Sequence, residues 1–525
     1  MFNPPVNDPF RPLHPLRLLR YNPRPMSRYF PEFQAFESAA TQAKLIPVYR
    51  QLMADHHTPV SAFELLCEQS QHAFLLESVV GGEKIARYSF IATNPTVVYQ
   101  VQAGQARMTD FRTSQSREFV TTDPLADLQA MLPTLAYHAD SLLPEFTGGL
   151  VGFAGYDTIR YYESEKLNHP PLDDRHLPDL LFGLYGEMVI FDHVDKTIKI
   201  VANADVNAHA ALAEAYADAK RRIDTIVQLL QRPHRAQLGE INPRGELSIA
   251  YESNFTRDAF EQAIEAGKKY IQAGDIFQFV PSQRLRVRSD ARPFDVYRAL
   301  RVINPSPFMF YLKTPDCTLI GASPEILCRV QNRKVTSRPL AGTRKRGEND
   351  AQDAALEKEL LADPKERAEH IMIVDLHRND VGRVSKIGSV QVSDCMTVER
   401  YSHVMHITTN VTGILDDPYT ALDALRVSLP VGTVSGAPKI RAMQIIDELE
   451  PTRRGPYGGA VGYIDFAGNM DTCIALRTIV WKDGIFDVQA GAGIVADSVP
   501  ASEYEETMSK ARAMLKAVEI AHQGF

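Results

Sequence analysis

Strand-like and helix-like segments alternate along most of this chain at uneven spacing, and that unevenness removes two common large architectures at once. A βα barrel or a doubly wound parallel sheet needs a regular strand–helix rhythm. Between residues 58 and 205, FLLESVV, YSFIAT, MVIFDHV and TIKIVAN read as strands separated by turns, and ALAEAYADAKRRIDTIVQLLQ then reads as a helix. The stretch RPHRAQLGEINPRGELS, residues 232–248, is polar and aperiodic and reads as a linker. Beyond it, NFTRDAFEQAIEAGKKYIQAGD predicts a helix. Asn254 and Thr256 are cap candidates, Phe260, Ile264 and Ile271 share one face, and Gly274 ends it. Strands and helices continue irregularly to the C-terminus, which points to the α+β class. The expected division is an N-terminal extension over 1–45, a domain over 46–231, the linker over 232–248 and a second domain over 249–525. The first 26 residues carry seven prolines and four arginines without the apolar core of a secretory signal. The extension is therefore expected to be disordered in part, with Met26 as a candidate true start.

Charge and cysteine usage narrow the function classes. A net charge of −8 argues against a nucleic-acid binder. The five cysteines (Cys67, Cys317, Cys328, Cys395 and Cys473) are scattered and form no C-x-x-C pair. That excludes an obvious disulfide framework or zinc site and fits a reducing, cytoplasmic setting. No apolar run approaches the roughly 18 residues a bilayer span requires, so no membrane association is expected.

Near the C-terminus, QAGAGIVADSVPASEYEET places Gly491 and Gly493 after the strand-like IFDVQA, and Glu503 and Glu506 three apart just after Pro500. Gly491, Gly493 and Ala496 match G-x-G-x-x-A. A dinucleotide site, however, needs a helix opening at the glycines and further βα units, and only about thirty residues remain. GTVSGAPK, residues 432–439, misses the phosphate-loop pattern because Ala437 and Pro438 separate the second glycine from Lys439.

The two C-terminal acids have a counterpart in ADPKERAEHIMIVDLHRND. There Asp363 suits an N-cap, Pro364 the first helical position, and Glu366 and Glu369 fall three apart on one face. Two such helices could jointly hold a hard cation such as Mg2+, which takes a few carboxylates plus waters and an anionic substrate oxygen; each pair alone could equally be a solvated face. Amides at Gly491, Ala492 and Gly493 could then approach a substrate carboxylate that the metal shares. In MDTCIALRTIV, period two puts Asp471, Cys473, Ala475, Arg477 and Ile479 on one face. Arg477 then either grips a second substrate carboxylate or forms a structural ion pair. His406 in RYSHVMHITTNV falls on the more polar strand face and is either a proton carrier titrating near neutrality or a structural histidine. Glu325 in GASPEIL follows an S-P turn beside Ile326 and Leu327, where it stays protonated in shelter or merely caps the turn.

A longer series of segments now falls into one order: TPVSAFELL, FLLESVVGGEKIARYSFI, INPSPFMFYL, GASPEIL, SRPLAGTRKRG, ERAEHIMIVDLHRNDVGRV, YSHVMH, GTVSGAPKIRAMQIIDELEP, RRGPYGGAVGY, NMDTCIALRT and QAGAGIVADSVPASEYEET. This series resembles the chorismate-utilising enzymes, and within them the anthranilate-forming branch. The resemblance covers about residues 58–520. It implies large packed, mainly antiparallel β-sheets flanked by helices, with a regulatory-type, tryptophan-binding domain followed by a chorismate-binding catalytic domain. The implied reaction adds ammonia at C2 of chorismate with loss of the C4 hydroxyl, then eliminates pyruvate to leave anthranilate, the first step of tryptophan biosynthesis.

By the same resemblance Mg2+ is bound directly by Glu369 and Glu506 and through water by Glu366 and Glu503. Gly342, Thr343, Tyr457, Arg477 and the amides of Gly491, Ala492 and Gly493 hold the substrate. Glu325 protonates the departing hydroxyl, and His406, with Thr433 nearby, assists that departure or removes the C2 proton. Tryptophan, as feedback inhibitor, is expected against Ser78, Pro307, Phe308 and Met309, with Phe308 where many feedback-sensitive relatives carry Tyr.

Sibling activities fit less well. Gln278 stands where water-using relatives carry a lysine base, and Ala341 stands where aminodeoxychorismate synthases carry a nucleophilic lysine. No cysteine sits in a G-x-C-x-G elbow, so the ammonia is expected from a separate glutamine amidotransferase subunit. A catalytically silent tryptophan-sensing or scaffolding module is the alternative from another class; retention of the four glutamates, His406 and Glu325 argues against it.

Overall fold

The computed structural model describes residues 28–79, 87–132, 136–233, 239–243, 245–400 and 404–525 of the chain. The expectations for residues 1–27, Met26 among them, and for the middle of the linker lie outside the described residues. Among the described residues the strands form two large sheets and one two-stranded ribbon, and every ladder between named strands is antiparallel. The eleven-stranded sheet runs from Leu45–Met53 through Thr197–Asp205, Glu187–Asp192, Tyr88–Thr93, Ala73–Glu77, Phe308–Lys313, Thr318–Ser323, Thr478–Lys482, Ile485–Gly491 and Ser282–Arg288 to Glu252–Ser253. The twelve-stranded sheet runs from Leu340–Lys345 through Val404–Ile414, Lys334–Ser337, Ile326–Gln331, Met470–Ile474, Ala460–Asp465, Gly149–Ala154, Leu180–Tyr185, Val97–Gln102 and Gln105–Asp110 to Gln115–Val120. Its remaining strand, Gln391–Arg400, pairs beside Val404–Ile414.

Side-chain alternation shows how these sheets are covered. In Phe308–Lys313, Phe310 and Leu312 point into a core shared with Phe74, Phe153, Leu319, Val461 and Cys473, residues drawn from both sheets. Met309 and Tyr311 point the other way, into a second core built with helices. Both faces of the strand are therefore apolar, because both are covered. The second core includes Phe63 from Pro59–Cys67, Leu300 from Pro293–Ile303 and Leu515 from Pro500–Gln523. It also takes Ala215, Ala219, Ile223, Val227 and Leu230 from Leu212–Leu230, whose spacing of three and four lays one stripe on the sheet. On the outer face of the other sheet, Leu125, Leu128, Leu422 and Leu425 supply the corresponding helical layer. The result is a helix–sheet–sheet–helix sandwich, in keeping with the expected packed antiparallel architecture.

Both sheets draw strands from either side of residues 232–248, so the linker joins stretches of sequence that share their sheets. Its end is anchored where the amide of Ser248 donates to Glu519 at 2.6 Å. The described part of the 1–45 extension is docked: Phe36, on helix Phe33–Ala39, is fully buried, and the Tyr29 hydroxyl donates to Asp224 at 2.6 Å. Among the described residues no helix is long and apolar enough to cross a membrane.

The helix expected after the linker spans Arg257–Gln272, with the Thr256 hydroxyl accepting the amide of Ala259. Gly267 lies on its buried face, where an added Cβ would stand 1.9 Å from the Phe279 ring. Helix propensity alone favours Ala over Gly by about 1 kcal/mol. Overpacking against a rigid aromatic outweighs it, so Gly267→Ala is expected to destabilise by about 2 kcal/mol net. Thermal unfolding reads this directly; a raised midpoint would show that propensity wins.

Candidate active site

The chain passes from one sheet to the other twice at the same end of the sandwich. The first crossing is at Pro324–Glu325, between Thr318–Ser323 and Ile326–Gln331; the second is at Ala475–Arg477, between Met470–Ile474 and Thr478–Lys482. The two crossings are bonded together, with the Ile474 amide donating to the Glu325 carbonyl and the Ala322 amide to the Arg477 carbonyl, each at 3.1 Å. Around them opens a cavity of about 400 Å3. Of the residues expected to act on substrate or metal, Glu325, Gly342, Thr343, Glu366, Glu369, His406, Thr433, Tyr457, Arg477, Gly491, Gly493, Glu503 and Glu506 all line it.

Arg477 reaches the cavity by a different route from the one its sequence predicts. The strand expected through MDTCIALRTIV stops at Ile474, and Arg477 adopts a left-handed backbone at φ +47° before the next strand begins. Period two therefore does not run through Arg477, which sits on the turn that changes sheets. Ala492 is also corrected. Its side chain belongs to an apolar core with Phe260 and Ile494, and its amide donates to the Pro281 carbonyl at 3.2 Å, so it cannot serve a ligand. The Gly491 amide is hydrogen-bonded to the buried Tyr457 hydroxyl.

The acid-bearing helices are Pro364–Gly382 and Pro500–Gln523. Asp363 is the N-cap of the first, accepting the amides of Lys365 and Glu366, and Pro364 occupies its opening turn. The Glu366 carboxylate takes the Arg344 guanidinium at 3.0 Å. Arg344 also binds Asp363 and Glu359, at 2.8 and 3.1 Å. Glu506 pairs with Lys510 at 2.8 Å, and Lys510 donates as well to the Gly491 carbonyl. Glu369 accepts the Gln278 amide at 3.1 Å.

Burial raises the Glu369 carboxyl above its usual range, and the neighbouring Glu366 and Glu506 add to the rise. Burial, then Glu506, does the same to Glu503. Four carboxylates thus crowd one sheltered cavity, a donor set suited to a hard cation. Among the described residues no three of them already stand as a coordination shell, since Arg344 and Lys510 hold two of them.

Gly342 sits at a register break between Ala341 and Thr343 opposite the Val404–Ile414 strand, with φ +71°. A side chain there would come within 3.1 Å of the Glu366 carboxylate, so both backbone and space call for glycine. The bulge turns the Gly342 carbonyl onto His406 Nδ1 at 3.2 Å, with Thr343 Oγ1 at 3.0 Å. A carbonyl only accepts, so Nδ1 carries the hydrogen and Nε2 is the basic nitrogen. Burial first, then Arg477 and Lys510, pushes His406 down to about 4, so the ring is neutral at physiological pH instead of titrating near neutrality.

Glu325 moves the opposite way. Complete burial pushes it up to about 8, moderated by the Leu340 amide and the Thr433 hydroxyl. It therefore holds its proton at neutral pH. Sequence reasoning missed Lys365, Gln489, Ser498 and Lys510 in this lining, and Arg344 behind Glu366; only Lys510, four residues after Glu506, left a local signal.

Ser78, Pro307, Phe308 and Met309 meet in a separate cavity of about 500 Å3 between the sheets, beside Arg329, Tyr463 and Asp471. Phe308 pairs with Ser323 in the adjacent strand, two residues before Glu325.

Comparison with known proteins places this geometry. The family model described as chorismate binding enzyme matches residues 71–516. Anthranilate synthase component 1 of Acetivibrio thermocellus is 48% identical over 498 residues, covering 94% of this chain and 99% of that protein. The chloroplastic anthranilate synthase alpha subunit 1 of Oryza sativa subsp. indica is 43% identical, covering 93% and 90%. The crystal structure of anthranilate synthase component I from Streptococcus pneumoniae superposes with a TM-score of 0.72 at 37% identity, covering 88% of this chain and 99% of that one. The menaquinone-specific isochorismate synthase of Escherichia coli shares the fold, with a TM-score of 0.65 at 17% identity. The chain belongs to the chorismate binding enzyme family, within its group of anthranilate synthase component 1 proteins.

Proposed function

We propose that this chain is component 1 of an anthranilate synthase, converting chorismate and ammonia to anthranilate, pyruvate and water at the 400 Å3 cavity. The observation that carries the reading is the convergence there of four glutamates from two helices, one guanidinium, one protonated carboxyl and one neutral imidazole. Chorismate is a dicarboxylate, and in this reading Arg477 takes one carboxylate and the glutamates, through a shared cation, take the other. Bound Mg2+ would neutralise the ring carboxylate as a Lewis acid, with Glu369 and Glu506 as direct ligands and Glu366 and Glu503 acting through water.

The remaining chemistry belongs to side chains. As ammonia bonds to C2 and the C4–O bond breaks, Glu325 delivers its proton and the hydroxyl leaves as water. The ammonium formed at C2 loses one proton, restoring the Glu325 carboxyl. Neutral His406 then accepts the C2 proton at Nε2, the ring becomes aromatic as the bond from the ring to the enolpyruvyl oxygen breaks, and the departing enolate takes up a proton at carbon to become pyruvate. Thr433 faces Glu325 and steadies the departing oxygen. Holding these groups in register before reaction supplies most of the rate enhancement.

Ala341 lies in the cavity wall with no amine to attack C2, which disfavours the aminodeoxychorismate reading. The ammonia source in this reading is a glutamine amidotransferase partner, and ammonium salts should replace it. A cytoplasmic location is supported by five cysteines that are all free. The test is product identity: chain, chorismate, Mg2+ and ammonium should yield anthranilate, whereas aminodeoxychorismate or isochorismate would overturn the assignment.

Tryptophan is proposed to bind the separate cavity at Ser78, Pro307, Phe308 and Met309. Ser78→Leu is expected to raise the tryptophan concentration for half-inhibition about tenfold or more, with kcat unchanged, since one filled pocket costs 1–3 kcal/mol of binding. Inhibition identical to wild type would remove Ser78 from the site.

A further inference from the structure

Among the separated stretches of chain that line the cavity, one buried ion pair reaches four, those of Val280, Val434, Tyr457 and Gln489. Arg454 and Glu450 are 2% and 3% exposed at their side chains. Arg454 Nη1 donates to the Val434 carbonyl and Nη2 to the Val280 carbonyl, both at 2.6 Å, while Nε and Nη2 grip Glu450. Val280 and Val434 themselves line the cavity, and Val434 follows Thr433. The Arg454 guanidinium lies 4.5 Å from the Tyr156 ring centre and 5.8 Å from that of Tyr457. The partner carboxylate extends the reach: Glu450 accepts the Ser282 amide and hydroxyl at 2.7 and 2.9 Å, and that hydroxyl accepts the Gln489 side-chain amide at 2.8 Å. Gln489 also lines the cavity.

We infer that the Arg454–Glu450 pair positions the reacting cavity, setting Thr433 through the Val434 carbonyl, Tyr457 through stacking, and Gln489 through Ser282. Neither residue lines the cavity, so both act through others. A buried pair is a poor device for stability, because desolvating two charges offsets their attraction. It is a good device for geometry, because a planar fork with several fixed donors ties separate segments at defined angles. Four hydrogen bonds from one guanidinium, two of them to backbone carbonyls in the cavity wall, cannot be reproduced by a single ammonium.

This inference rests on the reading of the cavity as the chorismate site, and the test separates the two. Anthranilate formation from chorismate, Mg2+ and ammonium is measured for the full chain, for Arg454→Lys and for Ser282→Ala, together with thermal midpoints and near-ultraviolet circular dichroism. Arg454→Lys keeps the charge and the stacking but loses the fork; kcat is expected to fall about 100-fold with KM nearly constant, as small misplacements of reacting groups do. Ser282→Ala leaves the pair intact and releases Gln489; kcat is expected to fall about tenfold at an unchanged midpoint. A folded Arg454→Lys with wild-type kcat overturns the inference, as does a loss that only follows the folded fraction. If Arg454→Lys does not fold, Ser282→Ala decides, and an unchanged kcat there overturns it. A wild-type chain that makes no anthranilate sinks the functional reading first, and this inference with it.

Discussion

Glu369→Gln is expected to abolish Mg2+-supported anthranilate formation, with a loss of roughly 10³-fold or more, while the chain remains folded. The substitution is isosteric, and the new amide oxygen can still accept the Gln278 side chain that holds Glu369 at 3.1 Å. Only the charge is removed. Burial, with Glu366 and Glu506 nearby, already disfavours the ionised form of Glu369, so the metal-free variant should be no less stable than wild type. A loss of turnover at an unchanged or raised thermal midpoint separates a ligand from a structural acid. Anthranilate fluorescence in the presence of chorismate, Mg2+ and ammonium measures it. Wild-type turnover in this variant would exclude the role.

Glu325→Gln should lower kcat by roughly 10²–10⁴-fold, the range for loss of a positioned general acid. The reason is protonation state. Buried Glu325 is pushed up to about 8, so wild-type kcat/KM should hold through neutrality and fall as pH rises through about 8. The residual activity of the variant should lack that limb. Stability follows the same group. A carboxyl whose folded value lies above its unfolded value of 4.5 stabilises the fold fully below that value, and loses the contribution as pH rises toward 8. Glutamine does not titrate, so the variant should gain in relative stability between those limits. A variant that keeps the alkaline limb would assign it to another group.

Local pattern was enough for several helices and strands. Tyr88–Thr93 coincides with the run YSFIAT, and Asp363 caps its helix with Pro364 in the first turn, because caps and alternation are properties of adjacent residues. The candidate site was legible mainly as a list of residues, since most of those named line one cavity. Its errors have non-local causes. Period two carried a strand through Arg477 because nothing in MDTCIALRTIV shows that the chain leaves one sheet there and enters another. Ala492 looked available because its acceptor, the Pro281 carbonyl, is over two hundred residues away in sequence. His406 was read as either a proton carrier near neutrality or a structural histidine, but the walls that bury it come from several elements, and burial lowers it to about 4. Arg344 was missed because its three carboxylate partners lie on two helices and the cap between them, which the sequence of its own strand does not announce. The same limit applies to the linker, whose composition marks a boundary between stretches that share both sheets.

The central claim is that acids from two helices far apart in sequence clamp one ion. Calorimetric titration of Mg2+ into wild type, Glu369→Gln and Glu506→Gln, each with product-saturated buffer as control, tests it directly. Both substitutions should weaken Mg2+ binding by about tenfold or more, one from each helix, with folding unchanged. Binding that survives either substitution at wild-type strength would contradict a site shared between the helices.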